Sequence, residues 1–516
     1  MRTSVLDLGS NSFHVLVADA AADGTVVPRL REREMLHLGA VVAEHGHLPG
    51  DARRLALDTA AHLTELARRA GATHRLAVAT SALRDASNGP EVIAEMSERC
   101  ETPVRVLDGA DEARLAYLGV RASVAAPEGS VLVLDLGGGS LELAVGTGAE
   151  VDWATSTDLG VSRLATRLRH DPPRAGQVRR LAELVTDELT PLRTEVERHA
   201  PAATVAVGGT VRALARVVAA VDHDWLPATL NQLVIRRRRL EALRDQLLAL
   251  DADGRAALPG MKSRRADRIH VAAVIVCAAM SALGIDRLVV SDWGLREGTI
   301  LDALGFSSVP DGPTLRAREV ARMRDAFLPG RPHAPHVAHL VGRLFDGTTA
   351  VHGLGPEDRT LLEHAALVHD VGASLALRRH PLHSAYLLEN AELRGFSPGE
   401  LAQIITLTRF HTSRGIDPAY PPFAAMATDR QERTTRMLAL LQVADGLDRA
   451  RDQSVEDVSV QHRGDAVRVV LHGRELHLAR TELERRAQLF RRTLGVGLEL
   501  VDRVGGEPRS TAQDPE

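Results

Sequence analysis

The chain has 516 residues, of which 44% are hydrophobic and 25% charged, the balance of a globular protein large enough for several cores. A net charge of −5 argues against a surface that coats nucleic acid. No apolar run reaches the length of a membrane span and no signal-peptide pattern opens the chain, so a cytoplasmic protein that neither crosses nor coats a membrane is expected. Cys100 and Cys277 lie far apart without metal-ligand spacing and read as reduced core thiols. Lys262 is the one lysine, so local arginine clusters would have to bind any polyanion.

At the N-terminus a short apolar run, Ser4-Val5-Leu6, leads into Asp7-Leu8-Gly9-Ser10-Asn11-Ser12 and a second run, Val15 to Ala18. This reads as strand, acidic polar turn, strand. Residues 51–70 carry Leu55, Leu63, Leu66 and Ala67 at helical spacing and stop at Gly71. Arg75 to Ala79 is then a strand that delivers Thr80, Ser81 and Arg84 to its end, where ligands gather in open α/β sheets. Val104 to Leu107 is a further strand, and Asp111 opens the helix that carries Glu112. From residue types alone, both acids read as helix-start charges.

Val131 to Leu134 is a continuous apolar strand ending in Asp135-Leu136-Gly137-Gly138-Gly139-Ser140, with Glu142 in the strand beyond. Consecutive glycine N–H groups form an anion-binding nest, and Asp135 and Glu142 offer oxygens to a hard divalent cation. The Asp-Leu-Gly grammar of the N-terminus is repeated here, which predicts two related halves. A third turn, Gly208-Gly209-Thr210, runs from a strand into a helix. Together the three turns predict a phosphate-clasping cleft between the halves. Helices are expected near 178–198 and 236–250, another from Asp267 to Gly284, and a strand at Arg287 to Ser291.

Beyond a Ser/Pro/Gly-rich break at Phe306 to Pro313 the pattern becomes helical, with His336, His369-Asp370, His383, His411 and Asp445 spread along it. Short strands from Val455, a helix at Glu482–Leu494 and a strand at Gly497–Val501 predict a small α+β tail, and the last ten residues read as disordered.

Several motifs occur together: Asp7 to Ser12, Thr80 to Asn88, Gly109 with Glu112-Ala113-Arg114-Leu115, Asp135 to Glu142, and Leu159 to Leu164. Gly208 to Thr210, Pro259 to Met261 with Arg265-Ala266-Asp267, and Gly294 to Gly298 extend the set. It resembles the exopolyphosphatase/guanosine pentaphosphate phosphohydrolase (Ppx/GppA) family. The resemblance implies an α/β fold of two actin-like domains of the sugar-kinase and Hsp70-type superfamily flanking a cleft (1–123 and 124–305). An all-α HD-like domain (306–453) and a small α+β domain (454–516) would follow.

It also implies hydrolysis of a terminal phosphoanhydride, releasing orthophosphate from inorganic polyphosphate or from guanosine pentaphosphate (pppGpp), by a homodimer. Glu112 is matched to the catalytic glutamate. Phosphate contacts are expected from Gly9, Ser10, Asn11, Ser12, Arg84, Gly137, Gly138, Gly139, Ser140, Gly208, Gly209 and Thr210. Asp7, Asp135 and Glu142 would hold Mg²⁺, with a monovalent cation as its companion. Phe13-His14 follows the first loop where the family often has arginine, which predicts a weaker phosphate contact there. In the helical region the pattern resembles the metal-dependent HD phosphohydrolases, which implies a transition metal on His336, His369, Asp370 and Asp445, with His383 and His411 as additions. A nucleotide-binding kinase or chaperone-like ATPase and a phosphate or alarmone sensor stand as alternatives.

Overall fold

β1 (Arg2–Leu8), β2 (Ser12–Ala20), β3 (Val26–Met35), β4 (His74–Ala79) and β5 (Val104–Val106) form one sheet in the order β3-β2-β1-β4-β5. A second sheet holds β6 (Ser130–Leu136), β7 (Leu141–Thr147), β8 (Glu150–Thr157), β9 (Ala203–Val207), β10 (Val234–Arg236) and β11 (Arg287–Val290), in the order β10-β11-β9-β6-β7-β8. The computed structural model describes residues 1–222, 225–463 and 466–504, so the C-terminal stretch read as disordered lies outside the described residues.

The predicted internal repeat is visible as topology. In each sheet an antiparallel meander is followed by a parallel crossover onto its first strand: β1 pairs with β2 and β4, and β6 with β7 and β9. β1 and β6 are buried along nearly their whole length, which is why both read as unbroken apolar runs. Each ends in its Asp-Leu pair, so Asp7 and Asp135 occupy equivalent strand ends.

The halves exchange helices. Helix Gly109–Ser123 follows the first sheet, yet Ala113, Tyr117 and Val120 join Val131, Val133 and Val205 of the second in one core. Helix Leu295–Ala303 returns the favour, with Ile300 and Leu301 packing among Val5, Leu16 and Leu118. A Cβ on Gly119 would stand 2.2 Å from the Gly294 carbonyl oxygen, and one on Gly298 would stand 1.7 Å from that of Leu115. The two helices therefore meet backbone to backbone. A boundary at 123/124 falls inside this exchange rather than between bodies.

Met1–His223 with Leu230–Leu315 make one compact unit, and Asp224–Thr229 with the chain from Arg316 make another. The second unit is helical from Gly312–Phe327 through Thr428–Leu447, as expected for that region. Its tail is β12 (Val455–Arg463), β13 (Ala466–Gly473) and β14 (Gly497–Val504), with helix His477–Leu494 starting earlier than its apolar pattern suggests. The tail does not stand alone. Val458, Val469, Leu471 and Phe490 share one core with Leu344, Leu441 and Leu447, because a three-stranded sheet this short needs the bundle to cover its apolar face. No described helix is long and apolar enough to cross a membrane.

Candidate active site

Asp7 and Asp135 stand at the ends of β1 and β6, and the register places Glu142 directly across from Asp135. Glu112 comes from helix Gly109–Ser123. That helix begins two residues before Asp111, and the Asp108 side chain caps it by accepting from the Asp111 N–H. Asp111 pairs outward with Arg105. With the cap supplied elsewhere, Glu112 is free for other work. A Cβ on Gly109 would stand 2.3 Å from Ser156 Cβ, so the helix start is pressed against β8. Ser156 in turn donates to Glu142 Oε1 at 2.9 Å.

The four carboxylates crowd one another. Burial, then the charge of Glu142 and Asp135, pushes Glu112 well above the usual range. Burial, then Asp135, raises Glu142 to about 8. Burial raises Asp7 to about 6, and burial with the charge of Asp7 raises Asp135 to about 6. Arg84 Nη1 is the cation nearest Glu112, 3.8 Å from Oε2, and is held by the Leu107 carbonyl at 2.8 Å. Glu112 Oε2 is buried with no hydrogen-bond partner among the described residues. A buried all-oxygen set suits a hard divalent cation.

The glycine triplet makes the turn between the strands that carry Asp135 and Glu142. Its carbonyls are occupied: Val161 N–H donates to Gly137, Ser162 N–H to Gly138 and Gly160 N–H to Gly139. The N–H groups of Gly138 and Gly139 have no backbone acceptor among the described residues, which is the disposition of an anion nest. Gly160 has no alternative here, since a Cβ would stand 2.1 Å from the Gly139 carbonyl carbon. Gly208 has φ +109, and a Cβ there would meet Asp135 Oδ1 at 2.9 Å.

Not every residue expected on phosphate is free to bind it. Ser10 is buried, with its Oγ 2.7 Å from Ser81 Oγ and accepting from the Ala82 N–H. Asn11 Oδ1 accepts from Ser162 Oγ at 2.8 Å, which ties the first loop to the second half. Ser140 is buried beside Glu142 and hydrogen-bonds to it. Thr210 Oγ1 accepts from Arg265 Nη1 at 3.2 Å. Hydroxyl and amide types at these turns were legible in the sequence, but their inward partners were not.

The expected weakness at Phe13-His14 is answered from elsewhere in the chain. Arg296 Nη1 donates to His14 Nδ1 at 2.9 Å, and since arginine only donates, Nε2 must carry the ring proton. His14 Nε2 then donates to Ser12 Oγ at 2.8 Å, which leaves the Ser12 hydroxyl proton for an incoming oxygen. Burial and the charges of Arg296, Arg33, Arg212 and Arg265 push the His14 imidazole down to about 2, so it stays neutral. Burial, then Arg33, Arg264 and Arg212, lower Arg265 to about 10, and Lys262 is lowered by burial, Arg216, Arg264 and Arg33. These cations form a belt beside the carboxylate floor. Arg265 and Arg296 lie within recognisable motifs, but only folding gathers them with Arg33 of β3 and Arg212 of helix Gly209–Asp222.

A duplicated α/β pair with an acidic floor, a glycine nest and a cationic belt defines a class: a two-lobed protein built to grip a phosphate group. Residues 16–306 match the Ppx/GppA phosphatase family and residues 315–489 match domain III of the Ppx/GppA phosphatases. The chain belongs to the Ppx/GppA phosphatase family. It is 35% identical to exopolyphosphatase 1 of Mycobacterium tuberculosis over 318 residues, 61% of this chain and 91% of the relative. Among solved structures it is similar to an exopolyphosphatase from Cytophaga hutchinsonii (TM-score 0.54, 28% identity, 60% of this chain and 100% of that one). It is also similar to the Ppx/GppA family member of Aquifex aeolicus (TM-score 0.51, 28% identity, 59% of this chain and 97% of that one).

Proposed function

We propose that the protein is an exopolyphosphatase that releases orthophosphate from the end of inorganic polyphosphate, with Glu112 as general base. The observation that carries this reading is the buried Oε2 of Glu112, without a hydrogen-bond partner among the described residues, beside Arg84 and close to Glu142 and Asp135. Phosphoanhydride hydrolysis needs positioning and charge neutralisation more than covalent help. The Gly138 and Gly139 N–H groups hold the terminal phosphoryl oxygens and the Ser12 hydroxyl adds a donor. Glu112 accepts a proton from the water that attacks phosphorus in line, and the departing chain carries the negative charge away towards the arginines.

Asp7, Asp135 and Glu142 are the residues that would hold Mg²⁺, with a monovalent cation as companion. When bound, Mg²⁺ supplies charge that offsets the phosphoryl oxygens. It would also bring the carboxylates, Glu112 included, into their ionised forms at neutral pH. The belt of Arg33, Arg212, Arg264, Arg265 and Lys262 favours a long polyanion over pppGpp, whose phosphates are few. Homodimer formation, which rests on the family resemblance, and a cytoplasmic setting, which rests on the two separated cysteines and the absence of a signal-peptide pattern, are part of the same proposal.

Phosphate release from long-chain polyphosphate, pppGpp and ATP, measured side by side with and without Mg²⁺, tests the reading. Polyphosphate should be turned over fastest and only with Mg²⁺. Faster release from pppGpp or ATP would replace it.

A further inference from the structure

The second unit holds a cluster the cleft chemistry does not use. His333 opens helix His333–Gly347, and His369-Asp370 directly follow helix Pro356–Val368. His380 opens helix His380–Asn390, His411 follows helix Pro398–Phe410, and Asp445 lies in helix Thr428–Leu447. All but His380 are almost fully buried, with relative exposures of 4% for His333, 0% for His369 and His411, 1% for Asp370 and 3% for Asp445.

His336 is not among them: its Nε2 bonds the Val455 carbonyl at 2.7 Å. The sequence assignment was one turn late, and likewise His380, not His383, reaches the cluster. Histidines three residues apart share a helix face, and only the packing of the helices decides which one points inward.

The imidazoles are oriented as metal ligands are. His369 Nδ1 bonds the Ala366 carbonyl at 2.6 Å, His411 Nδ1 that of Thr408 at 2.7 Å, and His333 Nδ1 bonds Asp448 Oδ2 at 2.8 Å. Each ring therefore has its outer nitrogen held and turns Nε2 inward. The carboxylates are arranged the same way. Arg451 holds Asp370 Oδ2, and Arg486 Nη1 lies 2.8 Å from Asp445 Oδ2. The inner Oδ1 of Asp445 lies 3.4 Å from His333 Nε2 and 3.5 Å from His369 Nε2. Asp370 Oδ1 lies 3.6 Å from His369 Nε2, 3.6 Å from His411 Nε2 and 3.0 Å from His380 Nε2.

Two donors each about 2.1 Å from a shared ion stand roughly 3.0–3.4 Å apart at octahedral to tetrahedral angles. Of the observed spacings, 3.0 and 3.4 Å fall in that range and those of 3.5 and 3.6 Å lie just beyond it. Among the described residues, His333 Nε2, His369 Nε2 and Asp370 Oδ1 are buried without a well-aligned hydrogen bond, a costly arrangement unless something else is held between them. Their donor atoms converge in two overlapping triads, His333/His369/Asp445 and His369/Asp370/His411.

We propose that this cluster is a second metal centre, holding divalent transition-metal ion with Asp370 and His369 at its heart. The mixed imidazole and carboxylate donors favour an ion that accepts imidazole nitrogen, Zn²⁺ tightly and Mn²⁺ more weakly, over Mg²⁺, in contrast to the all-oxygen cleft.

The full-length protein, stripped by chelator and dialysed against Mn²⁺ or Zn²⁺ in excess Mg²⁺, should retain one or two transition ions per chain by elemental analysis. Asp370→Asn and His369→Gln should weaken that binding by at least about tenfold in calorimetry. His336→Ala and Glu142→Gln should leave it unchanged. Since His369→Gln can disturb the core, the isosteric Asp370→Asn carries the comparison, with folding checked by thermal melting. Pulsed electron resonance of the Mn²⁺-loaded wild type, which needs no variant, should show coupling to imidazole nitrogen. No retained ion, equal binding in Asp370→Asn, or no nitrogen coupling would overturn the proposal, as would loss of the ion in Glu142→Gln.

Discussion

In the cleft, buried carboxylates face one another and their proton affinities rise, Glu142 to about 8 and Asp7 and Asp135 to about 6. In the second unit, carboxylates just as buried are interleaved with imidazoles, and there the shifts run the other way. Burial opposes charge on Asp445, but the imidazoles of His333 and His369, 3.4 and 3.5 Å away, outweigh it and hold Asp445 well below its usual range. Burial likewise opposes charge on His333, yet Asp445 and Asp448 raise it to about 9. Burial alone therefore does not set the charge state of a buried acid; its neighbours do. In the first cluster the nearby Arg84, Arg212 and Arg296 do not outweigh burial and mutual repulsion, whereas in the second the interleaved imidazoles do.

The largest effect expected from this contrast is confined to the cleft. Glu112→Gln should lower the rate of phosphate release by roughly 10²–10⁴-fold while polyphosphate binding persists, because the amide keeps the shape but accepts no proton. Single-turnover measurement decides it, and near wild-type turnover would remove Glu112 from the mechanism. Asp370→Asn should leave the same rate unchanged.

Next in size is the response to pH of the metal-free protein. Asp7, Asp135 and Glu142 have folded values above their ordinary 3.8 and 4.5, so their contribution to stability is intact below about 4 and is lost as pH rises to about 8. In the second unit, the depressed Asp445 contributes stability above its ordinary 3.8 and loses it only in stronger acid. His333 contributes fully below its ordinary 6.5 and loses its part as pH rises towards about 9. Hydrogen exchange followed at pH 5 and pH 8 should show the first unit loosening more than the second. Mg²⁺ should reverse that loosening, and its affinity should increase with pH. Equal loosening of both units would break the comparison.

Smaller again, Arg265→Ala should raise the KM for long-chain polyphosphate on the order of tenfold and flatten its salt dependence, with kcat little changed. An unaltered salt slope would remove the belt from substrate binding. Gly160→Ala should reduce turnover more than Gly138→Ala, whose added methyl meets only the movable Asn11 side chain at 2.6 Å. The smallest change is expected for His14→Leu, a few-fold loss of affinity that His14→Gln restores, since glutamine can still accept from Arg296 and donate to Ser12.

Much of the cleft could be read from the sequence because its parts are local. Asp7 and Asp135 follow apolar strands, and the glycine triplet must turn where it stands. The belt was not legible in this way: Arg33 lies on a strand edge far in sequence from Arg265, and nothing at either position announces the other. The helix caps tell the same story on a smaller scale. Asp111 has the composition of a helix start, but Asp108 makes the bond. In the helical unit, residue type and approximate spacing picked the right helices and missed the inward turn by three residues at two positions.

Because Gly109–Ser123 packs into the second sheet's core and Leu295–Ala303 into the first's, neither half owns all the surface it needs. A fragment ending at Ser123 would expose Ala113, Tyr117 and Val120, and its complement would expose Ile300 and Leu301. Swapping one half for that of a distant relative meets the same obstacle, as each half must arrive with a helix cut to fit the other's backbone.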